Sequence, residues 1–386
     1  MGYHGRFERE KPKKKKKGLK IFLIILAVLL VLLAAAAVYG YSYYNRILSK
    51  MNYVEVPKVT YSEPATEATE QKADPEETEN GEEETTEATT VVTTEPPMSA
   101  DDIVNILVVG QAARAGEEHH MADTTILVTI NTYTKKITLS SVLRDTYLKL
   151  PNYKGHECGK TKFTVCYNLG YQWGGGTAGA MEMTNQCLYN NFGIEVDYNV
   201  EIDFEGFIHL VNYMDGVEIE LTQAEADYLN KDDLYVWYDV QPGLQKLDGM
   251  AALSYARMRK AEGDNESDVK RTARQRLLIE TLIKKFLSIP NITLRGLEQV
   301  ASEVLPMITV TMTPAEMTEL FLKVLPVLTQ LEFESHTIPI ENDALEGSRW
   351  GEVIDIYEDG IPDSVIRFDM DKNRKFIRGF TEGEVY

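Results

Sequence analysis

The stretch from Ile21 to Gly40, IFLIILAVLLVLLAAAAVYG, carries no charge. As a helix it is about 30 Å long, enough to cross the hydrocarbon core of a bilayer. A segment of this kind divides the rest of the chain between two compartments. The preceding KPKKKKK at 11–17 puts the N-terminal end in the cytoplasm, and Tyr39, Tyr41, Tyr43 and Tyr44 suit the outer interface. The sequence thus predicts a single-pass protein of the cell membrane, with a basic cytoplasmic tail (1–17), a transmembrane helix (18–44) and an external remainder. A cleaved secretory leader has the same order of basic, apolar and small residues, with Ala34–Ala37 as the small run. Either reading exports the remainder of the chain.

From Tyr61 to Pro97 the chain is rich in Thr, Glu and Pro and low in large apolar side chains. Such a segment cannot bury enough surface to offset its ordering entropy. Residues 45–100 are therefore expected to form a disordered, self-repelling stalk. The stalk also holds a large share of the acidic residues behind the formal net charge of −20, so that value says little about the domain beyond it. No nucleic-acid partner is expected.

The folded part begins at DDIVNILVVG, where Ile103–Val109 reads as a buried strand. TTILVTIN and KITLSSV flank TYTKK as an antiparallel hairpin would. A helix is expected from Thr177 to Asn190, stopped by Gly193. YNVEIDF, EGFIHLVNYM and GVEIELT then give strand, helix and strand. LDGMAALSYA is helix-like, RTARQRLLIETLIKKFLSI is an amphipathic helix, and NITLRGLEQVASEVLPMI and TPAEMTELFLKVLPVL read as two more. Thr313, Pro314 and Glu316 make a good helix start. FESHTIPI and SVIRFDMD read as strands joined by a loop. The fold class is α/β, with a mixed central sheet sandwiched by helices behind one N-terminal transmembrane helix. The expected division is a catalytic domain at 101–289 and a C-terminal α/β extension at 290–386, packed on the core. Cys158, Cys166 and Cys187 allow one disulfide and a spare thiol, or three small buried hydrophobes.

The window YARMRKAEGDNESDVKRTARQR gathers five arginines in an acidic chain. In an extended segment Arg257 and Arg259 share one face and Met258 the other. In the following helix Arg271, Arg274 and Gln275 continue the stripe that Leu278 and Leu282 bury, with Asp268 on the same side. Inward arginines need anions, and one aspartate cannot satisfy them all. Surface salt bridges with Glu262, Asp264, Glu266 and Asp268 are the plainer alternative. Arg114 and Arg144, each beside a predicted strand end where α/β folds place ligands, favour an anion site. Arginine's planar fork suits phosphate oxygens, which makes a pyrophosphate the natural occupant.

Together NILVVG, ADTTILVTINTYTKKITLSSVLRDTYLKLP, KFTVCYNLGY, VDYNVEIDFEGFIHLVNYMDGVEIEL, LDGMAALSYARMRK and DVKRTARQR resemble the LytR-CpsA-Psr family of wall-assembly proteins, over roughly Asn105 to Leu287. The resemblance implies a domain that holds a polyprenyl-pyrophosphate-linked glycan, with the lipid in an apolar tunnel between sheet and helices. The phosphorylated glycan would pass to a peptidoglycan hydroxyl. It implies that Arg144, Arg257, Arg259 and Arg271 grip the pyrophosphate, the last three also acting in catalysis, and that Arg114, Arg274 and Gln275 complete the binding set. Asp268 is the carboxylate expected to orient or deprotonate the acceptor, and Asp123 the one near a magnesium ion.

Two departures stand out. The family's Gly-x-Asp-x-Arg pattern is here GQAAR, with Ala112 in place of the aspartate, which removes one metal-associated carboxylate. Magnesium is often held by one or two carboxylates plus phosphate oxygens, so Asp123 and the substrate can suffice, and Glu117, Glu118, His119 and His120 are near in sequence. Thr164 stands where the family often has asparagine. The expected activity is glycopolymer-phosphate transfer. The alternatives are a catalytically weakened polyprenyl-phosphate binder that regulates envelope assembly, and a lipid-pyrophosphate hydrolase.

Overall fold

The computed structural model describes residues 52–57, 98–111, 121–231, 238–259, 268–287, 305–340, 349–354 and 363–382, with a few isolated positions between 41 and 50 and at 356. The tail at 1–17, the apolar run at 21–40, Ala112, Arg114, Glu117–His120 and most of the helix expected from Asn291 lie outside the described residues. Among the described residues no helix is long and apolar enough to cross a membrane. The chain divides into two compact units, Met1–Lys50 and Met51–Tyr386, and the strands and helices of the fold belong to the second.

In chain order the elements are β1 (Asn52–Tyr53), β2 (Ile103–Gln111), β3 (Ala122–Asn131), β4 (Lys136–Val142), β5 (Tyr147–Lys149), β6 (Lys160–Lys162), α1 (Thr164–Gly174), α2 (Thr177–Phe192), β7 (Tyr198–Ile202) and α3 (Phe204–Tyr213). There follow β8 (Val217–Leu221), α4 (Gln223–Leu229), β9 (Gly243–Leu247), α5 (Gly249–Arg257), α6 (Asp268–Leu287), β10 (Ile308–Val310), α7 (Pro314–Val324), β11 (Glu332–Ile338), β12 (Arg349–Ile354), β13 (Asp363–Arg367) and α8 (Met370–Thr381). Seven strands form a mixed sheet in the order β1-β10-β7-β2-β3-β4-β11.

Strand alternation sends successive side chains to opposite faces. Leu107, Val109 and Leu127 pack with Tyr167 of α1 and Met183 and Leu188 of α2, while Ile106, Ile126, Val128 and Leu139 meet Ile279 and Ile283 of α6 on the other face. Alpha1 and α2 approach so closely that a Cβ on Gly179 would lie 2.3 Å from the Cα of Gly174; only glycine permits that contact. A third cluster lies off the sheet, where the antiparallel β8–β9 pair packs on α4, α5 and Leu278 of α6.

Several boundaries differ from expectation. The strand expected over 198–204 stops at Ile202, because Asp203 accepts a 2.7 Å bond from the Gly206 N–H and caps α3. Leu247 ends β9, and Asp248, not Leu247, starts the next helix. The helix expected to run through Leu305–Ile308 gives way there to a single 3-10 turn and β10. In SVIRFDMD only the first part is strand: Asp369 caps α8, a helix that the sequence pattern does not predict. Arg374 of α8 donates to the carbonyls of Asn190 and Asn191 at the end of α2. Cys158, Cys166 and Cys187 are free thiols, the last two buried.

Beta10 and β11, which lie within the expected C-terminal extension, are strands of the central sheet. The expected stalk at 45–100 is interrupted by β1, which pairs with Thr309 and Val310, and Val54 N–H bonds the Val310 carbonyl at 2.9 Å.

Candidate functional site

The sheet register brings the expected residues to one edge. Gly110 pairs with Thr124 and with Ile202, and Ser141 pairs with Ile126. Arg144, just beyond the end of β4, thereby comes beside Asp123 at the start of β3, with Arg144 Nη1 4.0 Å from Asp123 Oδ1. Its Nε lies 3.4 Å from Asp145 Oδ2 and 3.8 Å from Asp268 Oδ2. Arg271 Nη2 is 2.6 Å from Asp268 Oδ1, so Asp268 stands between two guanidiniums. Lys162 of β6 adds a further cation, 3.3 Å from Asp145.

Arg271 is buried. Burial holds its guanidinium below the ordinary value; Asp268 and Asp123 oppose that shift, and Arg259 and Arg144 reinforce it. Arg144, Arg259, Arg271 and Lys162 thus gather with Asp123, Asp145 and Asp268, and cations outnumber carboxylates. Arg144 Nε and Arg271 Nε are both buried without a hydrogen-bond partner, as is Gln275 Oε1. Buried polar groups nearly always find partners, so these unpaired atoms call for one.

The extended segment expected around Arg257 is instead the end of α5, with Met258 as its C-cap at φ −57, ψ 127. The alternation survives even so: Met258 is fully buried, while Arg257 and Arg259 are exposed. Arg257 stacks 4.7 Å over the Phe204 ring. Beside it opens a cavity of about 80 Å³ whose lining includes Val108, Gly110, Phe207, Leu253, Gln275 and Leu278. The site is therefore cationic at one end and apolar at the other.

Arg274 does not join this group. Its Nε donates to Glu225 Oε1 at 2.7 Å and its Nη1 to the Met258 carbonyl at 3.1 Å. Sequence reasoning missed Glu225, although TQAE (Thr222–Glu225) is a capping-box pattern. It also missed Lys162, Asp145 and Glu201. Among the described residues no three or more His, Cys, Asp or Glu side chains are grouped to hold a metal ion. Asp123, the carboxylate that the resemblance places near a metal, has Arg144 Nη1 4.0 Å away.

Glu201, on β7 beside Val109, faces α1, where the Tyr167 hydroxyl donates to it. Burial, and after it the charge of Asp203, push its carboxyl up to about 7 from 4.5. A raised acid binds its proton more tightly in the folded chain, so its stabilisation is complete below the unfolded value and is lost as pH rises through the folded one. Between about pH 4.5 and pH 7.5 the wild type should lose about 3 kcal/mol relative to Glu201→Gln. Denaturation midpoints of the two proteins across that range check this; parallel curves contradict it.

The family model described as LytR_cpsA_psr matches residues 61–356. The chain is 32% identical to the polyisoprenyl-teichoic acid–peptidoglycan teichoic acid transferase TagU of Bacillus subtilis (strain 168), over 50% of this chain and 55% of that protein. It is 29% identical to Biofilm regulatory protein A of Streptococcus mutans serotype c, over 48% of this chain and 43% of that one. It thus spans about half the length of the curated relatives it matches. The structure of YwtF (TagT) with bound octaprenyl pyrophosphate lipid superposes with a TM-score of 0.51 at 20% identity, covering 76% of this chain and 95% of that one, which shows a shared fold. With the family model covering well over half of its length, the chain belongs to the LytR_cpsA_psr family.

Proposed function

We propose that this protein is a transferase that moves a phospho-glycopolymer from a polyprenyl-pyrophosphate carrier to a peptidoglycan hydroxyl. One observation carries the proposal: a cationic cluster in which Arg144 Nε and Arg271 Nε are buried without a hydrogen-bond partner, at the sheet edge where Gly110, Thr124 and Arg257 line an apolar cavity. A ligand suited to it is anionic at one end and hydrocarbon at the other. The relatives named as teichoic acid transferases support the same chemistry.

In this reading the arginines hold the pyrophosphate oxygens and stabilise the charge that develops on them, the main source of rate in phosphoryl transfer. The acceptor oxygen forms a bond to the glycan-side phosphorus. The bond from that phosphorus to the bridging oxygen breaks, and polyprenyl phosphate leaves with the electron pair. Asp268, fixed by Arg271 at 2.6 Å, orients the acceptor hydroxyl and takes its proton. Magnesium, when bound, would neutralise phosphate charge, and Asp123 is the residue that would hold it. The apolar run at 21–40 would anchor the chain in the cell membrane with the folded unit outside.

Ala112 supports a second reading, a weakened enzyme that binds the lipid and regulates assembly. Incubating the whole chain in membranes with labelled lipid-linked polymer and peptidoglycan tests both. The proposal expects label in the wall. Free glycan phosphate indicates hydrolysis, and no turnover that is then restored by Ala112→Asp indicates the weakened form.

A further inference from the structure

Arg274 and Glu225 form a buried ion pair away from the cationic cluster, and burying such a pair costs desolvation that well-packed apolar residues would avoid. What it holds in place is specific. Glu225 is fixed by one oxygen: Oε2 accepts from the Thr222 N–H at 3.0 Å and the Thr222 hydroxyl at 3.1 Å, in the capping box that starts α4. Its other oxygen, Oε1, accepts Arg274 Nε at 2.7 Å. The far side of the Arg274 fork reaches the Met258 carbonyl at 3.1 Å. Gln275 Nε2, from the next residue of α6, bonds the Ala256 carbonyl at 3.3 Å.

Two consecutive residues of α6 therefore grip the backbone on either side of Arg257, and the same helix carries Asp268 and Arg271. We infer that Glu225 is a positioning residue: acting through Arg274, it fixes the Ala256–Met258 backbone and so sets where Arg257 and Arg259 present their guanidiniums to the pyrophosphate. The inference rests on the proposed function for its ligand and on the geometry alone for the strut. Phosphate recognition by paired guanidiniums depends on orientation, and a misplacement of about 1 Å can cost roughly 10²-fold in rate.

Glu225→Gln leaves a buried guanidinium without its counter-charge and risks unfolding. The decisive variant is therefore Glu225→Leu/Arg274→Met, which removes both charges and keeps similar volume. The whole chain in detergent is compared with wild type by thermal unfolding, by hydrogen–deuterium exchange of the peptide Tyr255–Arg259, and by binding of octaprenyl pyrophosphate. The expected result is an unfolding temperature close to wild type, exchange in that peptide faster by about tenfold, and affinity weaker by about tenfold or more. Unchanged exchange in a folded variant overturns the strut whatever the ligand. Faster exchange with wild-type affinity overturns its role in presenting the arginines. If wild type itself binds no pyrophosphate, the functional reading fails, together with the role assigned to the presented arginines, while exchange still decides the strut. A variant that unfolds is replaced by Glu225→Asp, whose shorter arm should weaken affinity and raise exchange in the same peptide.

Discussion

Arg271→Ala is expected to lower polymer transfer by about 10²–10³-fold, equivalent to roughly 3–4 kcal/mol of transition-state stabilisation. Arg271 is buried, its Nη2 is committed to Asp268 and its Nε is left without a partner. Burying a guanidinium near Arg144 and Arg259 is unfavourable for the protein alone, burial being the main cause that lowers the proton affinity of Arg271, and an anionic ligand reverses that balance. Arg271→Lys is the informative companion. It keeps the positive charge but loses the planar fork and the Nε donor. If orientation matters as well as charge, lysine should restore less than a tenth of the lost activity. A transfer assay on both variants, each checked for wild-type unfolding behaviour, measures this; near-complete rescue by lysine would reduce the site to a diffuse positive field.

Asp268→Asn should separate binding from chemistry. The amide keeps the size of the side chain and removes one negative charge from beside Arg144 and Arg271. Affinity for octaprenyl pyrophosphate should therefore hold or improve, because less negative charge faces the phosphates. Turnover should fall by about 10²–10⁴-fold, the usual contribution of a general base. The signature is a drop in kcat without a rise in KM for the lipid donor. A rise in KM with kcat intact would make Asp268 a structural partner of Arg271 and nothing more.

Much of the site was legible because its residues sit at strand ends and on one helix stripe. The hydrophobic runs of β2, β3 and β4 fix the register, and that register carries Arg144 to Asp123. Helical spacing likewise placed Arg271 and Asp268 side by side. What the sequence could not separate was the direction of neighbouring arginines. Arg274 lies on the same inward stripe as Arg271, yet a carboxylate remote in sequence, Glu225, claims it. Glu201 was hidden for a related reason: in YNVEIDF it reads as an ordinary strand charge, and only the packing of α1 against the sheet shows that it is buried under Tyr167. The β1 strand is two residues long, too short for any periodicity, and its place in the sheet depends on pairing with Thr309 and Val310 far along the chain.

The most direct test is native mass spectrometry of the whole 386-residue chain loaded with octaprenyl pyrophosphate, with Arg144→Ala/Arg271→Ala as the comparison. One lipid held by the wild type and released by the double variant is the predicted result. Equal retention by both proteins, or no retention by a folded wild type, would contradict the proposed pyrophosphate site by returning those arginines to ordinary salt bridges.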